Sequence, residues 1–573
     1  MHLLRPLGEN AGGRPAARLP TPQPVCVVSS RDTSMRRPVF TLWLLPVAIV
    51  GVVVGSSAFG ELPVVNGKVD RLLVERWQAA SVEPSPRCDD AAFVRRLYLD
   101  LVGRIPTVAE RAEFLADASL DKRERLVDRL LASPEYGRYH REVFDVVFMG
   151  RPERSRKLEQ RRRNGWHEYL ETAFNGNRAW DQVCREVVLA RPASRDDRGA
   201  AWFLYERENR YQEIAEAVSP AIFGVQIQCA QCHDHPLTDA IEQRHYWGLV
   251  AFFNRGQNVM AAGGPQVAES AVGGWNKFAD LTGASSDAAL AYLGAKTIEE
   301  PRPADGEKES DAAEKYREPT AEQKASGAPR VPVFSRRERF ADEVLKDHPL
   351  VARAVANRLW GLYMGRGISH PADKLDFEHE PSHPALLDYL AAEFRADGYD
   401  VKRLARRIVT SGAYQLTAIP TASGVDPALF AHAIERPLIA EAYYRSMRVA
   451  LGQDTPIVHD DELQAAFCET FPDVLAEQSV GNLKQSLFLA NHEGVQVMFA
   501  NSWDLVVMYE RTRGEHPRSV LNELFVRCLG RDADEQELDQ ALRVFDNHEN
   551  KPREIMANIA WALCTGAEFR WNH

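Results

Sequence analysis

Helical periodicity along most of the chain, repeated N-capping patterns and the scarcity of period-two alternation predict a mainly α protein: two helical domains joined by a polar, partly disordered linker. Residues 1–34 are polar and Pro-rich and read as a mis-assigned or disordered leader, with Met35 as the expected initiator. Residues 35–60 carry Arg36-Arg37, an apolar run from Val39 to Val54 and the small residues Ser56, Ser57, Ala58 and Gly60. These are the basic, apolar and cleavable parts of a secretory signal. An uncleaved anchor over residues 39–58 is the alternative, although Pro46 and Gly51 interrupt the run. Arg36-Arg37 also carries a hint of a twin-arginine signal.

The first helical domain is expected over residues 61–260. Thr107-x-x-Glu110 and Asp121-x-x-Glu124 are capping-box patterns, Ser133-Pro134 opens another helix, and Leu126, Leu130 and Leu131 follow helical spacing. Ile214, Val218, Ile222 and Val225 step by four, four and three, which predicts one helix face leading into Cys229. Residues 261–330 hold Gly263-Gly264, Gly273-Gly274 and a Glu/Lys/Asp/Pro/Ala mixture from Glu299 to Lys324. So few large apolar residues predict a linker, disordered at least from Glu299 to Ala328. In the second helical domain, residues 331–573, Ser382 and Pro384 start a helix with a stripe of Leu386, Leu387, Leu390 and Phe394, and Gly398 ends it. His383 at that start is expected to be a structural cap or a histidine packed against the turn, with anion binding as the functional alternative.

The two halves share a pattern. Leu97–Arg104 aligns without gaps on Leu524–Arg531, and each copy runs on to a helix that ends in a small-residue turn before an aromatic, at Leu130–Tyr136 and Ala562–Phe569. Ile408–Tyr414 is a third such ending. A repeated helical module predicts that Gly103 and Gly530 both close helices with positive φ, and that Thr107 and Asp532 cap the helices that follow.

A formal charge of −11 with dispersed basic residues disfavours a nucleic-acid partner, whose phosphates need a concentrated positive face. Arg161-Arg162-Arg163, the tight basic triplet, reads as a solvated helix face. Besides Cys229 and Cys232, five cysteines follow residue 60, namely Cys88, Cys184, Cys468, Cys528 and Cys564. An odd number cannot all pair, and their scattered spacing predicts buried thiols for most of them.

Cys229-Ala230-Gln231-Cys232-His233 carries the chemistry, because CxxCH is the attachment signature of c-type haem. Two thiols three apart each bond a vinyl group, and His233 then supplies the proximal imidazole. Met260 or His245 is the candidate sixth ligand, with His235 a further nitrogen donor. The same atoms leave two rivals open: a zinc site made of Cys229, Cys232, His233 and His235, and a CxxC disulfide. GxSxG, HExxH, P-loop and GxGxxG signatures are missing, so catalytic residues stay unassigned and enzyme activity undecided.

With these motifs in place, the sequence resembles a family of exported planctomycete proteins of unknown function. That family joins a CxxCH-containing cytochrome-like domain, the second planctomycete cytochrome-like domain, to a planctomycete-specific C-terminal domain. The first is matched by Arg96–Thr107, Leu130–Gly137 and Phe223–Pro236. The second is matched by Ala356–Trp360, Gly365–Gly367, Pro381–Asp388, Gly398–Asp400, Thr410–Leu416 and Glu568–His573. The resemblance implies export, a helical two-domain build and a cytochrome label that rests on CxxCH; it implies no demonstrated reaction. Two departures stand out: Leu237-Thr238 replaces the family's usual Phe-Asp after His-Asp-His-Pro, and the segment between the domains is short and polar.

The leading expectation is an exported periplasmic or cell-envelope protein carrying one haem c and transferring electrons to an exported redox partner. The alternatives are a non-redox envelope protein with a structural zinc site and a binding or scaffolding role, and a hydrolase of exported polymers.

Overall fold

The computed structural model describes residues 67–573 apart from 152–154, 193, 195, 301, 305–306, 373, 376–378, 454–461, 476–480 and 547–551. The leader and the export segment lie outside these residues. Among the described residues the chain is mainly helical, as expected, and no helix is long and apolar enough to cross a membrane. The strands are short antiparallel pairs.

The module near residue 100 comprises α1 (Asp90–Leu101), α2 (Val108–Ala116) and α3 (Lys122–Ala132); its counterpart comprises α4 (Pro517–Leu529), α5 (Glu535–Asp546) and α6 (Pro552–Thr565). Gly103 at φ +67° and Gly530 at φ +75° lie just beyond α1 and α4, in the left-handed region that glycine reaches without strain. Thr107 and Glu110 then form a reciprocal capping box at α2. In the second copy Asp534 takes this role in place of the expected Asp532: its carboxylate accepts from Glu537 N at 2.8 Å while Glu537 accepts from Asp534 N at 2.8 Å. Asp534 stands four residues after Gly530, as Thr107 stands four after Gly103. Asp121 is another departure, since its side chain makes no cap hydrogen bond.

The copies also share an ion-pair clamp. Arg104 binds Glu110 and Glu135, each at 2.8 Å, and donates to Ile105 O. Arg531 binds Glu537 at 2.8 Å and Glu568 at 2.6 Å, and donates to Asp532 O. Each arginine thus ties its glycine turn to the helix start after it and to the small-residue turn farther on. The ending at Ile408–Tyr414 carries Ala413 where the other two have Glu135 and Glu568, so it lacks the clamp.

Side chains from both halves fill one core: Leu97, Tyr136, Trp166 and Trp180 meet Trp360, Leu387, Leu404 and Tyr414. A second core gathers Tyr443, Phe467, Phe499, Leu524, Met556 and Phe569 around Leu99 and Ile105 from the first half. The helix α1 stands between them, with Leu97 in one and Leu99 in the other. His140 also joins the halves: its Nδ1 donates to Tyr136 O at 2.9 Å and its Nε2 accepts from Tyr363 Oη at 2.7 Å.

The segment between the halves is polar, as its composition predicts; its first part, up to Glu300, is docked, while none of the described residues from 302 to 330 is buried. Gly256–Ala261 and Gly264–Glu269 pair as an antiparallel hairpin, and Leu290, Tyr292, Leu293 and Ile298 enter the main core. Glu300 bridges Arg255 at 2.6 Å and Arg336 at 2.7 Å. The guanidiniums of Arg255, Arg302 and Arg336 lie 4.9–5.1 Å from the Trp275 ring centre. Glu300 thus finds buried partners of opposite sign, whereas the charged residues Glu307, Lys308, Asp311, Glu314 and Lys324 face solvent. The basic triplet is solvated at Arg162 and Arg163, as expected, but Arg161 departs from it: it is 1% exposed and binds Asp145 and Glu206 at 3.2 and 3.0 Å.

Two predictions follow from these contacts. A Cβ at Gly530 meets only Arg95 Cδ, at 3.9 Å, whereas one at Gly103 runs into the Tyr139 ring and the Arg445 guanidinium. Gly530→Ala should therefore cost about 1–3 kcal/mol in backbone strain, and Gly103→Ala should add about 1–3 kcal/mol of overpacking to that, both measured by urea denaturation. Equal losses would contradict the contacts. Burial pushes the His140 imidazole from 6.5 down to about 3. Its neutral form then favours folding fully above about pH 6.5, and that contribution is lost as pH falls toward 3, at roughly 1.4 kcal/mol per pH unit. His140→Gln should flatten this acid limb, and an unchanged slope would show that other groups set it.

Candidate haem-attachment turn

Both motif thiols stand exposed after a buried helical segment. The helix Tyr211–Val218 continues through a π-turn at Ser219–Phe223 and ends at Gly224, φ +71°. The motif therefore does not sit on the helix end predicted from the four-four-three spacing. Ile214, Val218, Ile222 and Val225 are all buried, as their periodicity implies, but they anchor the chain before a separate 3₁₀ turn, Gln228–Gln231. Cys229 lies within this turn and Cys232 follows it at the C-cap; both are exposed free thiols, while Ile227 and Ala230 are fully buried. No disulfide closes the CxxC.

The helix Gln243–Phe253 supports the turn from below. Trp247 Nε1 and Gln243 Nε2 both donate to Gln231 O, at 3.0 and 3.1 Å, and Gln243 N donates to Asp234 Oδ1 at 2.7 Å. Trp247 stacks on Phe278 with centroids 6.3 Å apart and planes 4° apart, an aromatic ledge beside the turn. Leu237 is 71% exposed in the following loop. Sequence reasoning missed Gln243, Trp247 and Phe278. The i,i+4 spacing of Gln243 and Trp247 puts them on one helix face, but nothing local shows that this face meets the CxxCH.

His233 Nδ1 lies 2.6 Å from Asp234 O. A carbonyl only accepts, so Nδ1 carries the hydrogen and the lone pair falls on Nε2, the nitrogen left for an iron. Two exposed thiols, an imidazole held through Nδ1 and adjoining apolar surface suit a covalently attached haem. The expected sixth ligands are placed differently. His245 is buried as part of a helix cap, its Nδ1 accepting from Glu242 N at 3.0 Å, and Met260 stands 68% exposed on the hairpin strand instead of in a flexible stretch. Among the described residues no group of three or more His, Cys, Asp or Glu side chains is gathered for a metal, so Cys229, Cys232, His233 and His235 form no such cluster. His383 is buried at its helix start, packed against Ser382 Oγ at 3.0 Å and the Phe430 ring; its side chain makes no cap hydrogen bond, and burial pushes it down to about 4, which leaves it neutral.

A cavity of about 130 Å³ lies where the halves meet, lined by Asp145, His167, Glu441 and Cys468 among others. Its charges are matched internally: Asp145 with Arg161, Glu142 with Arg445 at 2.8 Å, and Glu441 with Arg151. Burial opposes ionisation of Asp145, yet His167, Arg161 and Trp166 hold its carboxyl down to about 2. Burial pushes the Cys468 thiol well up, which leaves it protonated and unactivated. These groups form a network of buried ion pairs.

A helical protein with two successive modules and an exposed CxxCH turn is thus defined. Residues 68–258 match the model of the family described as PSCyt2, a protein of unknown function (DUF1549), and residues 336–467 match PSD1, a protein of unknown function (DUF1553). The chain carries these two domains of unknown function in that order, and the CxxCH falls within the first. No curated protein and no solved structure matches the chain.

Exposure makes a direct prediction for the reduced, haem-free protein. Iodoacetamide should modify Cys229 and Cys232 in the native state, while the buried Cys88, Cys184, Cys528 and Cys564 react only after denaturation. Native protection of Cys229 or Cys232, mapped by peptide mass, would contradict the exposed turn.

Proposed function

We propose that this chain is an exported electron-transfer protein with one haem c bound through thioethers at Cys229 and Cys232, with His233 as proximal ligand. The observation that supports the reading is that both motif thiols are exposed, beside an imidazole whose Nε2 is free of the Asp234 contact. Haem, once attached, supplies one-electron chemistry. The chain's part is to fix the turn through Gln243 and Trp247 and to offer apolar surface to a flat macrocycle. In this reading the chain belongs to the exported planctomycete family that it resembles and acts in the periplasm or envelope, with an exported redox protein or envelope component as partner.

The test is haem staining after denaturing electrophoresis of protein made with c-type maturation machinery. Wild type should stain, and Cys229→Ser and Cys232→Ser should each weaken or abolish the band. An unstained wild type with one equivalent of zinc by metal analysis would replace haem with the structural zinc role.

A further inference from the structure

The second module contains a feature that its counterpart lacks. Cys528 on α4 and Cys564 on α6 lie 36 residues apart in sequence, yet their sulfurs stand 3.8 Å apart in the second core, and both side chains are fully buried. Aligning the glycine turns sets Cys528 opposite Leu101, and aligning Glu135 with Glu568 sets Cys564 opposite Leu131. Leu101 and Leu131 are both buried in the main core. The first module therefore uses leucine at both positions where the second uses cysteine, and the two cysteines are in van der Waals contact. Neither Cys88 nor Cys184 belongs to this second core.

We propose that Cys528 and Cys564 form a disulfide that staples α4 to α6. Bond formation requires the sulfurs to close from 3.8 Å to about 2.0 Å, a movement within reach of two packed helices. The oxidant is a small-molecule or protein disulfide, and oxidised glutathione serves as the defined example. One cysteine thiolate attacks a glutathione sulfur, giving a mixed disulfide and releasing one glutathione thiolate. The second cysteine thiolate then attacks the protein-side sulfur, forming the Cys528–Cys564 bond and releasing the second glutathione. The protein loses two electrons and two protons, and oxidised glutathione is reduced to two thiols.

Burial sets when this happens. In the packed molecule a bulky disulfide cannot reach either sulfur, and burial, with Cys528 adjacent, pushes the Cys564 thiol well up. Exchange therefore precedes closure of α4 on α6, and once formed the bond is shielded from reductants. Its structural role parallels that of the Arg531 clamp, which joins the same glycine turn to the end of α6 through Glu568. A cross-link across a loop of this length restricts the unfolded chain and stabilises the fold. The proposal is independent of the CxxCH turn and of whether haem is attached there.

Peptide mapping of the full chain tests it. The protein is unfolded under reduction, refolded in a reduced/oxidised glutathione buffer, alkylated, and digested with trypsin without reduction. Cleavage after Arg527, Arg531, Arg553 and Arg570 isolates Cys528 and Cys564 in separate peptides, 528–531 and 554–570, each with a single cysteine. The expected product is these two peptides joined, two hydrogens lighter than their sum, and absent when refolding is done with reductant alone. The oxidised protein should also melt several degrees above the reduced one, a difference that Cys564→Ala abolishes. Recovery of both peptides in alkylated form after oxidative refolding would overturn the proposal, as would either one joined to a different cysteine.

Discussion

Arg95, Arg96 and Asp100 are buried on α1, where no water can solvate them, and the rest of the fold is arranged to do so. Arg95 donates to Cys528 O and Phe569 O at 3.3 and 3.0 Å; Arg96 donates to Tyr414 O, Leu416 O and His573 O at 2.5, 2.9 and 3.3 Å. Asp100 accepts from Tyr414 Oη and Asn572 Nδ2, each at 2.8 Å, and pairs with Arg436 at 2.5 Å. A buried charge without such partners costs several kcal/mol. The helix is therefore stable only when segments hundreds of residues away close over it. This requirement accounts for the two family domains sharing a core, with the last residues returning to the first domain: Trp571–Asn572 pairs with Arg436–Pro437 just where Asn572 reaches Asp100.

The module repeat gives the same logic on a smaller scale. Arg104 and Arg531 each hold two carboxylates and a backbone carbonyl, so one side chain fixes a glycine turn, a capping box and a helix junction together. The copies also meet: Arg111, on the first copy's α2, donates to Gly530 O at 2.7 Å. Gly103 O accepts in turn from Arg445 Nε at 3.1 Å. Their packing environments differ, which is why Gly103 is enclosed and Gly530 open, and why matching positions hold leucine in one copy and cysteine in the other.

The CxxCH turn stands apart from this charge network. Its backbone is fixed from beneath by Ile227, Ala230, Gln243 and Trp247, so the thiols stay exposed without the turn being loose. The strong polar constraints lie in the two cores, while the chemically reactive atoms lie at the surface. Covalent attachment or oxidation at Cys229 and Cys232 can therefore proceed without disturbing the buried ion pairs.

Local signals were legible in the sequence. The helical class, the caps at Thr107 and Ser133, the positive φ of Gly103 and Gly530, the module repeat and the CxxCH each depend on residues a few positions apart, and steric and hydrogen-bonding rules at that range act the same way in any context. The tertiary structure alone decided the rest. It turned a segment read as a linker into a docked hairpin with core residues, buried Arg161, moved the motif off its helix onto a 3₁₀ turn, set His245 to capping, and brought Cys528 to Cys564. Each of these depends on which distant segment supplies the neutralising charge, the apolar surface or the second sulfur. Periodicity and composition describe what a segment needs from its surroundings, and only the folded chain specifies which residues provide it.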